Sequence, residues 1–359
     1  MALDFPTSPT NGQYYNGFVY NAANDTWDSA YAPRAATIPI SSPNYVINGG
    51  MDIWQRGTSG TVGSSVGFAA DRWQSVTYAG GTMYWFRQDA TGNPGGTRYC
   101  ARIQRASGAT NAATTNLAYS FETVDVLKMA GKSVTLSYYA RAGANYSPAG
   151  AAFNHAATWG TGTDQSVFTG GITGGSDIFR TSVTLTTSWQ RFTVTFTVPS
   201  NATSLGLSFY SGTNVGTAGA ADYWELTGVQ LEEGAAATEF RRNAPSIQGE
   251  LAACQRYYYL SGVSYSAYNI FNSGNCHSST FYFPVTMRVA PTITVYDTAD
   301  NINKVSIANS GGTGQTNITP PSSVQINTTS FEYVAGGLGG TTGNVGMMMM
   351  NKFIASAEL

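Results

Sequence analysis

The stretch GVQLEEGAAATEFRR, Gly228 to Arg242, sets Glu232 beside Glu233 in a chain whose charged residues make up only 11%. Two carboxylates could serve as the acid and base of a glycosidase, which needs them facing one bond from ~5–10 Å apart. Neighbouring residues at the end of a strand point to opposite faces and cannot share a bond. The pair is therefore expected at a solvated rim, or in an intersubunit salt bridge with Arg241 or Arg242. His155 and His277 are isolated, and Cys276–His277 alone lacks the ligand count of a zinc site. No GxSxG elbow supports a Ser–His–Asp arrangement, and GGTGQTN has a P-loop's glycines without its Lys-Ser/Thr. Cys100, Cys254 and Cys276 are odd in number and widely spaced, so no disulfide framework is expected. No residue is assigned a catalytic role.

Aromatic residues suit binding better. A sugar ring offers an apolar C–H face and hydroxyls at its edge; flat Trp and Tyr beside Asn or Arg match both. The candidates are Trp159 with Asn154 and His155 in FNHAATWGTGTDQ, Trp85 and Arg87 in TMYWFRQD, and Tyr139 and Arg141 in SYYAR. Trp159, in an expected Gly/Thr loop, is the best-exposed candidate. Trp189 and Trp224 are expected in the core, and Trp54 and Trp73 in the core or at its rim. The same aromatics could instead pack between subunits.

The elements that position these residues read as strands. In RFTVTFTVP, Phe192, Val194, Phe196 and Val198 share one face, and Arg191, Thr193, Thr195 and Thr197 the other. LGLSFY, SVTLSYYAR, LAYSF and TRYCARI alternate in the same way. Such alternation between Gly, Asn, Ser and Pro breaks predicts antiparallel sheets with one dry and one wet face, and hence a sandwich. In DYWELTGVQL the phase shifts at Gly228, where a β-bulge is expected. SIQGELAACQRYYYL is the one clear helix, with Ser246 as N-cap and Ile247, Leu251, Cys254 and Tyr258 on one face. Residues 1–45 read as an extended arm in which Phe18, Tyr20 and Trp27 could pack a small hairpin. Phe281, Phe283, Val285, Met287 and Val289 alternate again, and Met347–Met350 suggest a strand buried on both faces, which a subunit contact would explain. YYYLSGVSYSAYNIF is preferred as a strand, with a receptor-reading surface kept open. The fold class is all-β: an extended arm (1–45), a jelly-roll sandwich (46–243), a linking helix (244–260) and a smaller C-terminal β domain (261–359).

The formal net charge of −2, without a basic stripe, argues against nucleic acid. No apolar run is long enough to insert in a membrane. MALDFPTSPT lacks the features of a secretory signal, so assembly in a cytoplasm is expected.

Several segments taken together carry a resemblance. FPTSPTNGQYYNGFVY resembles the N-terminal segment of tailed-bacteriophage fibre and virion proteins. NYVINGGMDIWQRGTS, ADRWQ, LSYYARAGANYSP, SWQRFTVTFTVPSNATSLGLSFY, DYWELTGVQLEEGAAATEFRR and GELAACQRYY resemble, in order, a jelly-roll module common in those proteins; FIASAEL is similar to fibre C-termini. The resemblance covers most of the chain and is weakest from about 290 to 345. It implies a virion structural protein, usually a homotrimer and commonly a tail or head fibre. Its jelly roll would be related to carbohydrate-binding modules, and its arm would dock on other virion proteins. It also implies, by analogy alone, a structural calcium at Asp52, Asp71, Asp222 and Glu225; no EF-hand spacing is present. The leading expectation is multivalent attachment to a host-surface glycan. The alternatives are a purely structural head decoration or tail connector, a polysaccharide depolymerase, for which no β-helix repeat is visible, and a secreted binding module.

Overall fold

Each strand with two-residue alternation needs a partner sheet to cover its dry face, and the fold supplies two. A computed structural model describes residues 5–15, 18–29, 44–78, 83–112, 114–168, 171–262, 265–272, 275–277, 280–309, 314–318, 325–332, 334–335 and 345–359, without the side chains of 28–29, 263–279, 307–324 and 333–347. It divides into two units, residues 1–42 and 43–359. The first holds a three-stranded antiparallel meander of β1 (Tyr14–Tyr15), β2 (Phe18–Asn21) and β3 (Thr26–Ser29). The expected hairpin is present as β2–β3. The arm is not extended throughout, because aromatic rings give it a small core: Phe5 stacks on Trp27 at 4.9 Å, and Phe18 meets Phe5 edge-on at 5.4 Å.

The second unit begins with the sandwich. Its strands are β4 (Ser59–Val62), β5 (Gly67–Phe68), β6 (Gln74–Tyr78), β7 (Met83–Asp89), β8 (Tyr99–Arg105), β9 (Thr114–Ser120), β10 (Ser133–Ala142), β11 (Ala152–Gly160), β12 (Ser176–Thr184), β13 (Gln190–Thr197), β14 (Ser204–Ser211) and β15 (Tyr223–Glu233). The first sheet runs β13-β10-β15-β8-β7-β4 and the second β12-β11-β14-β9-β6-β5. From β9 to β15 the chain crosses between sheets at every step but one, as a jelly roll does.

Between the sheets Leu136, Tyr138, Trp224 and Leu226 meet Phe153, Leu117, Leu207 and Phe209, all at most 2% exposed. Each such side chain contributes roughly 1.5–3 kcal/mol by leaving water. Trp73 and Trp224 are core, as expected; Trp54 is buried too. Trp189 is not core: it is half-buried under Arg141, whose guanidinium lies 4.6 Å from its ring. The expected bulge is present. Ser137 pairs with Gln230 but Tyr139 with Thr227, and Gly228 takes φ +61° to absorb the extra residue.

Two helices form. α1 (Thr123–Met129), absent from the sequence reading, turns Val126 and Met129 into the core and pairs Asp125 with Lys128 at its surface. It is seven residues long, too short for periodicity to betray. α2 (Ile247–Gln255) is capped by Ser246, whose Oγ accepts from Gly249 N at 3.1 Å. Cys254 is buried, but Ile247 is 41% exposed and off the expected face.

A second apolar cluster, with Phe281, Phe283, Val295, Phe331 and Phe353, serves the C-terminal strands of the same unit. Phe281 and Phe283 alternate inward, but only Phe281–Tyr282 is a strand and Val289 is exposed. Met348 and Met350 are 1% exposed within this cluster, on a central strand (Val345–Met350) between strands 265–272 and 305–309. They alternate inward around half-buried Met349, so Met348 and Met350 fill the chain's own core; the side chain of Met347 lies outside the described residues. The Tyr265–Asn272 strand bears out the strand reading of YYYLSGVSYSAYNIF; its side chains, and those of Cys276 and His277, lie outside the described residues.

Candidate ligand-binding cleft

The carboxylates that opened the sequence reading part company in the fold. Glu232 is 1% exposed, and its carboxylate accepts from Gln230 Nε2 (2.7 Å), Thr238 N (2.8 Å) and Thr238 Oγ1 (2.7 Å). It is a buried anchor for the segment after β15, not a solvated rim. Glu233 faces solvent and meets Lys132 at 2.8 Å, while Arg242 pairs with Asp52. The four calcium candidates are each engaged by arginine: Asp52 by Arg242, Asp71 by Arg56, Asp222 by Arg105, and Glu225 by Arg102 and Arg141. They do not converge. Among the described residues, no three His, Cys, Asp or Glu side chains gather as a metal site.

The aromatic candidates scatter as well. Trp85 is buried at 6% and stacks on Trp54, with centroids 5.7 Å apart. Arg87 lies over the ring of Tyr99. Tyr139 points outward as expected but is covered, 8% exposed, beneath Gly95. Arg141 is held by Glu225 at 2.5 Å. On the second sheet, Trp159 belongs to β11 rather than a loop and packs against the core. His155 is 3% exposed between the sheets, where burial lowers its pKa to about 4. Trp85, Tyr139 and His155 thus offer no open face to a ligand. Asn154 alone of the seven lies on the outer face of the second sheet, level with Tyr210 of β14.

That face carries a cleft of about 420 Å³. The register builds it row by row. Val76, Asn116, Tyr210, Asn154 and Ser182 form one row across β6, β9, β14, β11 and β12. Gln74, Ala118, Ser208, Ala156 and Arg180 form the next, and Ser120, Gly206, Thr158 and Asp177 the third. Ala118, Ala156 and Gly206 keep the floor low. A side chain at Gly206 would collide with Val167, which lies over it and, with Phe168 and Ile172, makes an apolar wall. Five strands at ~4.8 Å spacing make a face ~19 Å across, the length of a short oligosaccharide.

The polar groups are set by a bulge. Thr158 pairs with Asp177 and Ala157 with Phe179, so Ile178 and Phe179 both turn inward while Asp177 and Arg180 both reach the cleft. Arg180 Nε donates to Asp177 Oδ2 at 2.7 Å, Arg180 Nη1 to Tyr210 Oη at 2.6 Å, and Thr158 Oγ1 to Asp177 Oδ1 at 2.8 Å. Partial burial pushes the Asp177 carboxyl up, but the hydrogen bonds from Arg180 and Thr158 outweigh it and hold the group below the usual range. The same hydrogen bond raises Arg180. Tyr78, 53% exposed, stands at the other end. Asn116 is 6% exposed, and its amide nitrogen is unpartnered. A buried amide costs about 1–3 kcal/mol unless water or a ligand meets it.

These residues were missed individually; the strands of Asn116, Ser208 and Tyr210 were read, but those of Tyr78, Thr158, Asp177 and Arg180 were not. In LGLSFY, placing Leu205, Leu207 and Phe209 inward leaves Ser208 and Tyr210 outward; in NLAYSF the same logic frees Asn116. A second cleft, of about 440 Å³, lies among Gly95, Gly96 and Phe240–Pro245, but its Arg242 is already committed to Asp52.

No family model matches the chain, and no curated protein matches its sequence. Among solved structures, 53% of the chain is similar to the enzymatically active domain of bacteriophage CBA120 tailspike protein 4, at 13% identity and a TM-score of 0.35, spanning 21% of that chain. A CBM4 structure is similar over 53% of this chain and all of its own, at 17% identity and TM-score 0.31. TmCBM61 in complex with β-1,4-galactotriose is similar over 54% of this chain and all of its own, at 10% identity and TM-score 0.33.

Proposed function

We propose that this protein is a non-catalytic structural component of a tailed-phage virion that holds a host-surface glycan in the cleft of its second sheet. One observation carries the reading: the unpartnered, buried Asn116 lies in a trough with exposed Tyr78 and with Tyr210, aromatic surface and polar groups placed as a sugar requires. The segments that resemble phage fibre proteins support the setting, and the small aromatic core of residues 5–29 suits an element that docks on the particle. In a homotrimer, three weak clefts engage one surface together and gain by avidity.

The test is an oligosaccharide array probed with the full chain and with Tyr78→Ala and Tyr210→Ala. Both substitutions alter the cleft rather than the core. Binding of a glycan family by the wild type, weakened at least tenfold by each variant, supports the reading. Firm incorporation into particles with no glycan bound favours a decoration role instead, and release of shorter oligosaccharides would make the protein an enzyme.

A further inference from the structure

The wall of the cleft is held from two sides. Residues 161–168 form no helix or strand and lie across the outer face of the second sheet. The sandwich holds them through Thr203 and Ser204, which donate to Gly162 O at 2.8 and 2.5 Å, and through Thr123, which exchanges two 2.8 Å hydrogen bonds with Asp164. The other hold comes from the last strand's tail. Arg288 donates from Nε to Ala357 O (2.9 Å) and from Nη2 to Glu358 O (3.0 Å), and its Nη1 reaches Asp164 Oδ2 at 3.1 Å. Gln74 bridges in parallel: Nε2 donates to Leu359 O (3.2 Å), and Oε1 accepts from Ser166 Oγ (2.8 Å). Ser166 Oγ in turn accepts from Phe168 N at 3.1 Å. Val167 N donates to Ser120 Oγ at 3.0 Å, and Arg72 joins Ser120 O to the Glu358 carboxylate.

The backbone N–H groups of Val167 and Phe168, which place the apolar wall, are thus each joined to the tail through a chain of three hydrogen bonds. We propose that Arg288, with Ala357–Leu359, is a positioning element that sets Val167 and Phe168. Docking of the C-terminal strands and occupancy of the cleft are then coupled, and a ligand that presses on the wall strengthens the docking in return. This rests on the glycan reading for the ligand's identity, but not for the mechanical link.

The experiment compares the full chain with Arg288→Ala, Arg288→Lys and Ser166→Ala by amide hydrogen exchange and by titration with an oligosaccharide taken from the array. Arg288→Ala should lose protection in residues 161–168 while β10 and β15 stay unchanged, and should bind about five- to twentyfold more weakly. Arg288→Lys should recover part of both effects. Ser166→Ala, which removes the Gln74 bridge without touching the C-terminal core, should move the same segment and serves if Arg288→Ala does not fold. Unchanged exchange in 161–168 in a folded variant overturns the coupling, as does altered exchange with undiminished affinity. If no oligosaccharide binds the wild type, the glycan reading falls, and hydrogen exchange still decides the mechanical link.

Discussion

Tyr138 and His155 meet between the two sheets, with the phenol oxygen 2.9 Å from the imidazole Nδ1. The ring is surrounded by Tyr138, Phe179 and the apolar interior, and no carboxylate is paired with it. Burial therefore acts alone and lowers its pKa to about 4. The folded state then binds fewer protons than the unfolded one between pH 6.5 and 4. Its contribution is fully present above pH 6.5 and lost as pH falls through that window, by about 3 kcal/mol in all. Burial raises Asp71 and Glu250, whose effect has the opposite sign. The comparison is therefore with His155→Gln: denaturant titrations across this range should show wild type losing more stability than the variant, and parallel curves would refute the assignment.

Asn116 separates stability from binding. Its unpartnered amide is a cost in the free protein. Asn116→Ala should leave the melting temperature unchanged or slightly raised, yet weaken oligosaccharide binding about tenfold, worth ~1.4 kcal/mol. Calorimetry on the same samples reads both quantities; a variant that binds normally shows the amide to be idle.

Glu232 and Glu233, adjacent in the chain, should respond to alanine in opposite ways. Glu232→Ala removes three hydrogen bonds to a buried carboxylate and takes from Thr238 N its acceptor, and should cost about 2–4 kcal/mol. Glu233→Ala removes an exposed pairing with Lys132 and should not shift the melting temperature. Equal effects would mean that the segment after β15 is not anchored as described.

Gly228 holds the bulge that turns the last sandwich strand. At φ +61° a Cβ is strained, and it would also stand 3.0 Å from the Tyr139 ring. Gly228→Ala should destabilise by about 1–2 kcal/mol, and Gly228→Asn, which tolerates this conformation better, by less if Tyr139 yields. Thermal unfolding of the two variants, ranked against wild type, checks the order.

The chain's alternation determined its all-β class and half of the sandwich strands, and the local pattern also located the bulge at Gly228 and the cap at Ser246. These are local matters: two-residue periodicity, a phase shift and a short polar residue before an apolar run act within a few positions. It also implied that Ser208, Tyr210 and Asn116 face outward. Which outward residues stand together was beyond it, because rows form across strands that lie far apart in sequence: Asn116, Tyr210 and Asn154 meet only through register. Alternation likewise cannot tell an open outer face from a covered one, so Tyr139 lies beneath Gly95 while Tyr78 stands free. Pairing is the other thing tertiary structure decided. Asp71, Asp222 and Glu225 were metal-ligand candidates by resemblance alone, and the fold gave each an arginine, since a buried charge must be neutralised by whatever the packing brings beside it.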